Sequence, residues 1–176
     1  TLEPCSHTGR TASCADALLE AGVAEVVFAV ADPNPVASGG AARLRSNGVR
    51  VLEGLRGAEG EALLRAWLTG VAEGRPFVTL KLASTLDGRV AAADGSSRWI
   101  TSEAARLHAH QRRAEACAIL VGTGTQRSDD PTLSVRGPAA VHAPQPLRVV
   151  MGMRDVAADA AVRADPELFV HLRTHD

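Results

Sequence analysis

Short apolar runs rich in β-branched residues alternate with helical segments along the whole chain, and that alternation leaves few folds open. Residues 23–30 carry Val23, Val26, Val27, Phe28 and Val30, a buried-strand pattern. Residues 49–52 carry a second, shorter one. Between them 41–47 reads as a helix ending at Gly48, and 14–21 reads as a helix stopped by Gly22. Residues 58–71 form a longer helical pattern with Leu63, Leu64, Trp67, Leu68 and Val71 on one face. A junction at 70–76 follows, and the alternation resumes. A strand is expected from Phe77, a helix capped by Thr101 or Ser102 and running to about Ala114, then strands at 116–121, 147–151 and 168–172. Asp32-Pro33-Asn34-Pro35, Asp87-Gly88 and Asp94-Gly95 mark turns. Strands alternating with helices predict an α/β fold with parallel sheets, in two parts divided at 73/74.

Composition narrows the function classes. Nineteen Lys+Arg against twenty Asp+Glu give a net charge of -1 over 176 residues. That balance offers no general attraction to nucleic acid or to an anionic membrane. With no Tyr, three Phe and two Trp, there is no set of aromatic stacking platforms. No apolar run reaches the ~20 residues of a membrane-spanning helix. Three cysteines with no secretory leader in view predict a reducing, cytoplasmic setting. Lys81 is the single lysine and sits in an apolar run, where it is either a solvent-facing strand residue or a functional ammonium. The chain opens on Thr1 inside a chemically loaded segment and closes just after an apolar run, so a piece of a longer protein is expected.

Two constellations carry chemistry. Cys5 follows a proline, and Cys14 starts a predicted helix nine residues on. Thiolates suit zinc, but two do not complete a site, and from the spacing alone an ordinary pair of reduced cysteines is the commoner reading. In the second half Ser96, Ser97, Arg98 and Trp99 follow Asp94-Gly95. Gly122-Thr123-Gly124-Thr125 leaves a strand, either as a backbone approach to a phosphate or as a plain tight exit. Arg112, Arg113 and Arg136 can clamp a phosphate.

The segment from Thr1-Leu2-Glu3-Pro4-Cys5-Ser6-His7 through Gly9-Arg10-Thr11 to Cys14 resembles the zinc segment of the bifunctional deaminase–reductases of the riboflavin pathway. Ala12-Ser13 stands where that family usually has two prolines, which implies a less rigid loop with the ligands retained. Thr79-Leu80-Lys81-Leu82-Ala83-Ser84-Thr85-Leu86-Asp87-Gly88-Arg89, Trp99-Ile100-Thr101-Ser102-Glu103-Ala104, Ile119 to Thr125 and Asp129-Asp130-Pro131-Thr132-Leu133 resemble the same family's reductase part, in the family's order. Met151-Gly152-Met153 departs from its usual Asp-Ser strand end.

The resemblance implies the back of a cytidine-deaminase-like α/β domain (1–73) followed by the front of a dihydrofolate-reductase-like α/β domain (74–176). It implies Zn2+ and NADPH as cofactors, with Cys5 and Cys14 as two zinc ligands. Ala83, Trp99, Thr125 and Asp129 match NADPH-contacting positions. Ser97, Arg113, Leu133 and Arg136 match positions that contact a pyrimidine ribose-phosphate substrate. Lys81 is a candidate catalytic or substrate-orienting group. The implied chemistry is hydrolytic deamination of a diaminopyrimidine, then reduction of its ribosyl to a ribityl side chain. None of His7, His108, His110, His142, His171 and His175 stands in the H-x-E pattern that supplies the third ligand and the proton shuttle. This chain alone is therefore expected to be inactive in deamination. The expected partner is the small-molecule substrate, with no nucleic acid and no membrane, and homo-oligomer formation is left open. A reductase-only relative and a non-enzymatic zinc or redox module are the alternatives.

Overall fold

A computed structural model of the chain describes residues 1–173, so His175 lies outside the described residues. The chain divides into two units, Thr1–Leu80 and Lys81–Asp176.

The first unit runs α1 (Cys14–Glu20), β1 (Glu25–Phe28), α2 (Gly40–Ser46), β2 (Arg50–Glu53) and α3 (Gly57–Glu73). β1 and β2 pair in parallel with Val26 opposite Val51. Parallel neighbours need a crossover, and α2 supplies it. Ala15, Leu44 and Val49 are buried, with Leu18, Leu19, Val23, Val26 and Val51 packed against them. Burying a side chain such as Leu44 contributes about 2 kcal/mol. β1 is shorter than the apolar run 23–30 because both ends bond elsewhere. Val23 N–H donates to the Leu18 carbonyl, while Ala29 and Val30 N–H donate to that of Thr1. The expected apolar face of α3 is only half realised. Gly60 lies so close to Ala29 and Val30 that a Cβ there would stand 2.7 Å from the Ala29 methyl. This approach turns the 60, 64 and 68 positions inward and leaves Leu63 75% exposed and Trp67 outside.

The second unit runs α4 (Glu103–Ala114), β3 (Ala118–Gly122), α5 (Thr123–Asp129), β4 (Leu147–Met151) and β5 (Phe169–Leu172). Its sheet is parallel with order β3-β4-β5. Leu133, Val150, Val156, Ala160 and Val162 form the core, against Ile119, Val121 and Phe169. Ser102 caps α4 through its hydroxyl, which accepts the Ala105 N–H at 3.2 Å.

One expectation is corrected. The strand predicted from Phe77 does not form: 77–82 is irregular, with Val78, Leu80 and Leu82 at 75%, 79% and 72% exposure. A strand needs a ladder partner for its N–H and C=O groups, and no described segment pairs with this one. The exit at 122–125 leads straight into a helix: Gly122 ends β3, Thr123 opens α5, and α5 stops at Asp129, where Asp130 turns the chain at φ +39°.

Gly152 explains the departure at the end of β4. Its φ is +138°, and a Cβ there would meet Thr123 Oγ1 at 2.8 Å. Only glycine fits that approach between strand end and α5. Gly152→Ala is expected to destabilise the second unit by about 1–3 kcal/mol, read as a lower urea midpoint. Adding Thr123→Ala should recover part of the loss, because it removes the clashing atoms but not the unfavourable φ.

Candidate functional site

The two cysteines of the first unit meet. Cys14 begins α1 and its backbone N–H donates to Cys5 Sγ at 3.3 Å. A hydrogen bond between the two side chains, followed by burial and electrostatic coupling to Cys5, pushes the Cys14 thiol above its ordinary value. Both thiols are free. Ser13 ties the pair together. Its hydroxyl donates to the Cys5 carbonyl at 2.9 Å and caps α1 at Asp16 N–H.

The segment leading to Cys5 is held by Glu3. Its buried carboxylate accepts the Asp32 N–H at 3.1 Å and the Ala41 N–H at 2.9 Å, the latter in the first turn of α2. Asn34 shapes the adjoining turn: its N–H donates to Asp32 Oδ1, and its own Oδ1 accepts Val36 N–H. Gly40 admits the chain so closely that a Cβ there would lie 1.8 Å from the Pro4 carbonyl oxygen. The cysteines line an open cleft of about 600 Å³ with Leu2, Glu3, Asp32 and Leu18. Two thiols are two of the four donors of tetrahedral zinc. Among the described residues no group of three His, Cys, Asp or Glu side chains that could hold a metal occurs. These residues therefore do not complete a zinc site by themselves.

In the second unit a cationic cluster forms. Arg113, near the end of α4, donates from Nη1 to the Ser134 carbonyl at 3.2 Å. Arg136 follows two residues on, and its backbone N–H donates to His110 Nδ1 at 3.1 Å. The Arg113 guanidinium is shifted below its ordinary value by burial and then by Arg136. His110 is shifted down by burial, then by Arg113 and Arg136. Among the described residues neither arginine has a carboxylate partner in an ion pair. Two guanidinium groups gathered without an acid form a receptor for an anion.

The segment leading from α5 to Arg136 is anchored at two residues. Leu133 is 2% exposed in the core with φ +51°, so its side chain is spent on packing and only its backbone can reach a ligand. Gln145 brackets Val135, accepting its N–H at 2.9 Å and donating to its carbonyl at 3.2 Å.

Other predicted positions fall outside this cluster's hydrogen bonds. Thr125 and Asp129 are exposed on α5, four residues apart and so on one face. Trp99 is 70% exposed, with the Arg106 guanidinium 4.1 Å from its ring centroid. Ser97 is exposed, Ala83 half-buried, and Lys81 exposed in irregular chain. Sequence reasoning missed Arg106 and His110 as members of this surface. The signal was present: Arg106, His110 and Arg113 stand at i, i+4 and i+7, one face of α4.

Residues 76–175 match the family model of the RibD C-terminal domain. The chain belongs to the RibD family. It is 53% identical over 178 residues to the riboflavin biosynthesis protein RibD of Mycobacterium tuberculosis, covering 100% of this chain and 52% of that protein. It is 49% identical over 166 residues to RibD of Corynebacterium ammoniagenes, covering 92% and 49%. The crystal structure of a diaminohydroxyphosphoribosylaminopyrimidine deaminase/5-amino-6-(5-phosphoribosylamino)uracil reductase from Thermotoga maritima superposes with a TM-score of 0.91 at 37% identity, over 98% of this chain and 49% of that one. RibD of Acinetobacter baumannii gives 0.91 at 38% identity, over 100% and 51%. The chain thus spans about half the length of the RibD relatives it matches, and its two α/β units have the RibD fold. No helix among the described residues is long and apolar enough to cross a membrane.

Glu3 is the residue on which the cysteine geometry rests. Glu3→Gln turns an amide toward two backbone N–H donors that now share one carboxylate. Stability of the first unit is expected to fall by about 1–3 kcal/mol, and Cys5 should react faster with a thiol reagent in native buffer.

Proposed function

We propose that the second unit receives the phosphate of a ribose-phosphate substrate between Arg113 and Arg136, as part of the reductase half of a RibD-type enzyme of riboflavin biosynthesis. One observation carries this reading: α4 ties Arg113 to Ser134 and His110 to Arg136 two residues on, and neither arginine has a carboxylate partner among the described residues. A dianionic phosphate would neutralise the repulsion the fold builds in, and forked donors match its oxygens. Ser97 and the Leu133 backbone complete the proposed substrate contacts. Lys81 is proposed to orient the substrate or to polarise the imine that ring opening creates on the sugar.

The exposed Trp99 indole and the paired polar side chains of Thr125 and Asp129 suit a dinucleotide. With Ala83 they are the residues proposed to hold NADPH. When bound, that cofactor supplies the hydride that reduces the ribosyl to a ribityl side chain. The protein's part is to place the sugar carbon beside the nicotinamide and to keep water away.

For the first unit the proposal is that Cys5 and Cys14 are two thiolate ligands of the zinc used in hydrolytic deamination. Their convergence supports that role over a vestigial one. The chain's own described residues supply neither a third donor beside them nor the H-x-E proton shuttle, so no deamination step is derived for it. The division into a deaminase part, 1–73, and a reductase part, 74–176, belongs to the same reading, and a family match beginning at residue 76 supports it. A cytoplasmic setting suits the three free thiols.

Calorimetric titration of ribose 5-phosphate into the full chain tests the proposal. Arg113→Ala and Arg136→Ala should each weaken binding about tenfold or more, the loss expected for a charge-assisted hydrogen bond. Unchanged affinity in both variants would overturn the phosphate assignment.

A further inference from the structure

We propose that His110 is a positioning residue of the anion site: its Nδ1 accepts the backbone N–H of Arg136 and so fixes the point at which the Arg136 guanidinium leaves the loop. This rests on the proposed phosphate site and adds a residue to it.

Leu133 is sunk in the core, and Val135 is bracketed by Gln145 on both its N–H and its carbonyl. Immediately after Arg136 the chain turns away through Gly137, at φ +71°, and Pro138, into a 3-10 turn at Gly137–Ala140. Arg136 therefore sits at the last residue before the turn, with an exposed side chain. Its backbone N–H points to α4 and meets His110 Nδ1 at 3.1 Å. Ser134, two residues earlier in that loop, is tied to the same helix, because Arg113 Nη1 donates to its carbonyl. The face of α4 that presents Arg113 thus also carries the acceptor that sets Arg136.

The chemistry of the acceptor is specific. An imidazole accepts at Nδ1 only when it is neutral with its proton on Nε2. Burial and the two adjacent guanidinium groups favour that neutral form. A lysine or arginine at the same place could not accept the bond, and a small apolar residue would leave the N–H to solvent. A histidine here keeps the loop anchored without placing a carboxylate in a site meant for an anion. A carboxylate acceptor would have paired with the arginines and closed the site.

The test uses the full chain with ribose 5-phosphate as ligand and inorganic phosphate as a simpler probe. His110→Ala is expected to weaken both by about fivefold, the effect of one lost hydrogen bond on the placement of a binding group. His110→Asn should return affinity to within about twofold, because its Oδ1 can accept the same N–H. Unchanged binding in His110→Ala overturns the proposal, as does an Asn variant as weak as the Ala variant. A through-hydrogen-bond coupling between the Arg136 amide nitrogen and His110 Nδ1, measured by NMR on the unsubstituted protein, is expected, and its absence would also overturn the idea. Arg113→Ala and Arg136→Ala run alongside separate the two claims. If they leave phosphate binding unchanged, the site itself is wrong. If they weaken it while His110→Ala does not, only the positioning role fails.

Discussion

Bringing two guanidinium groups together is unfavourable, and the second unit is organised around tolerating it. Like charges brought close repel, weakly in water and more strongly where the protein excludes it. Arg113 is partly buried, which adds a desolvation cost, and both effects appear as its downward shift. Nothing in the described ion pairs offsets this locally. The offset comes from packing elsewhere: Leu133, Val150, Val156, Ala160 and Val162 bury the loop's root, and Gln145 holds Val135. Under the proposed function, the compensation is left to the phosphate of the ligand.

The first unit solves the opposite problem, placing one buried negative charge to good effect. Glu3 would be costly where it lies if its oxygens had no donors. Two backbone N–H groups from different turns, Asp32 and Ala41, supply them. The carboxylate thereby joins the N-terminal segment, the Asp32 turn and the start of α2 in one bond network. Gly40, through its closeness to the Pro4 carbonyl, completes that junction. Cys5 emerges from it, and Ser13 brings Cys14 alongside. The two halves of the chain thus build sites by the same means: a buried anchor a few residues before the functional side chain.

The RibD resemblance was legible in the cysteine segment and in the runs around Lys81, Trp99, Thr125 and Asp129. Much of the element order was legible too, because β-branched runs bounded by glycine are strong local signals. Strand 116–121, strand 147–151 and the Ser102-capped helix came out within a few residues of their observed bounds. Residues 77–82 misled, since an apolar, β-branched run satisfies every local criterion for a strand except the presence of a partner. α5 was missed because Gly124 and the polar residues around it are poor helix formers. Its first residue, Thr123, lies against Gly152 just past the end of β4.

Local chemistry, then, was written in the chain: which residues can ligate a metal, which can meet a phosphate, and where helices start and stop. Those depend on residue type and short spacing alone. Convergence was not. That Cys5 and Cys14 share a hydrogen bond, that Arg136 comes to lie beside Arg113, and that His110 joins them required the crossover connections and the core to be in place. Residues 23 to 38 positions apart in sequence, such as Arg113 with Arg136 and Glu3 with Ala41, acquire their partners only when loop-closure entropy has been overcome by packing, and no short window of sequence records that balance.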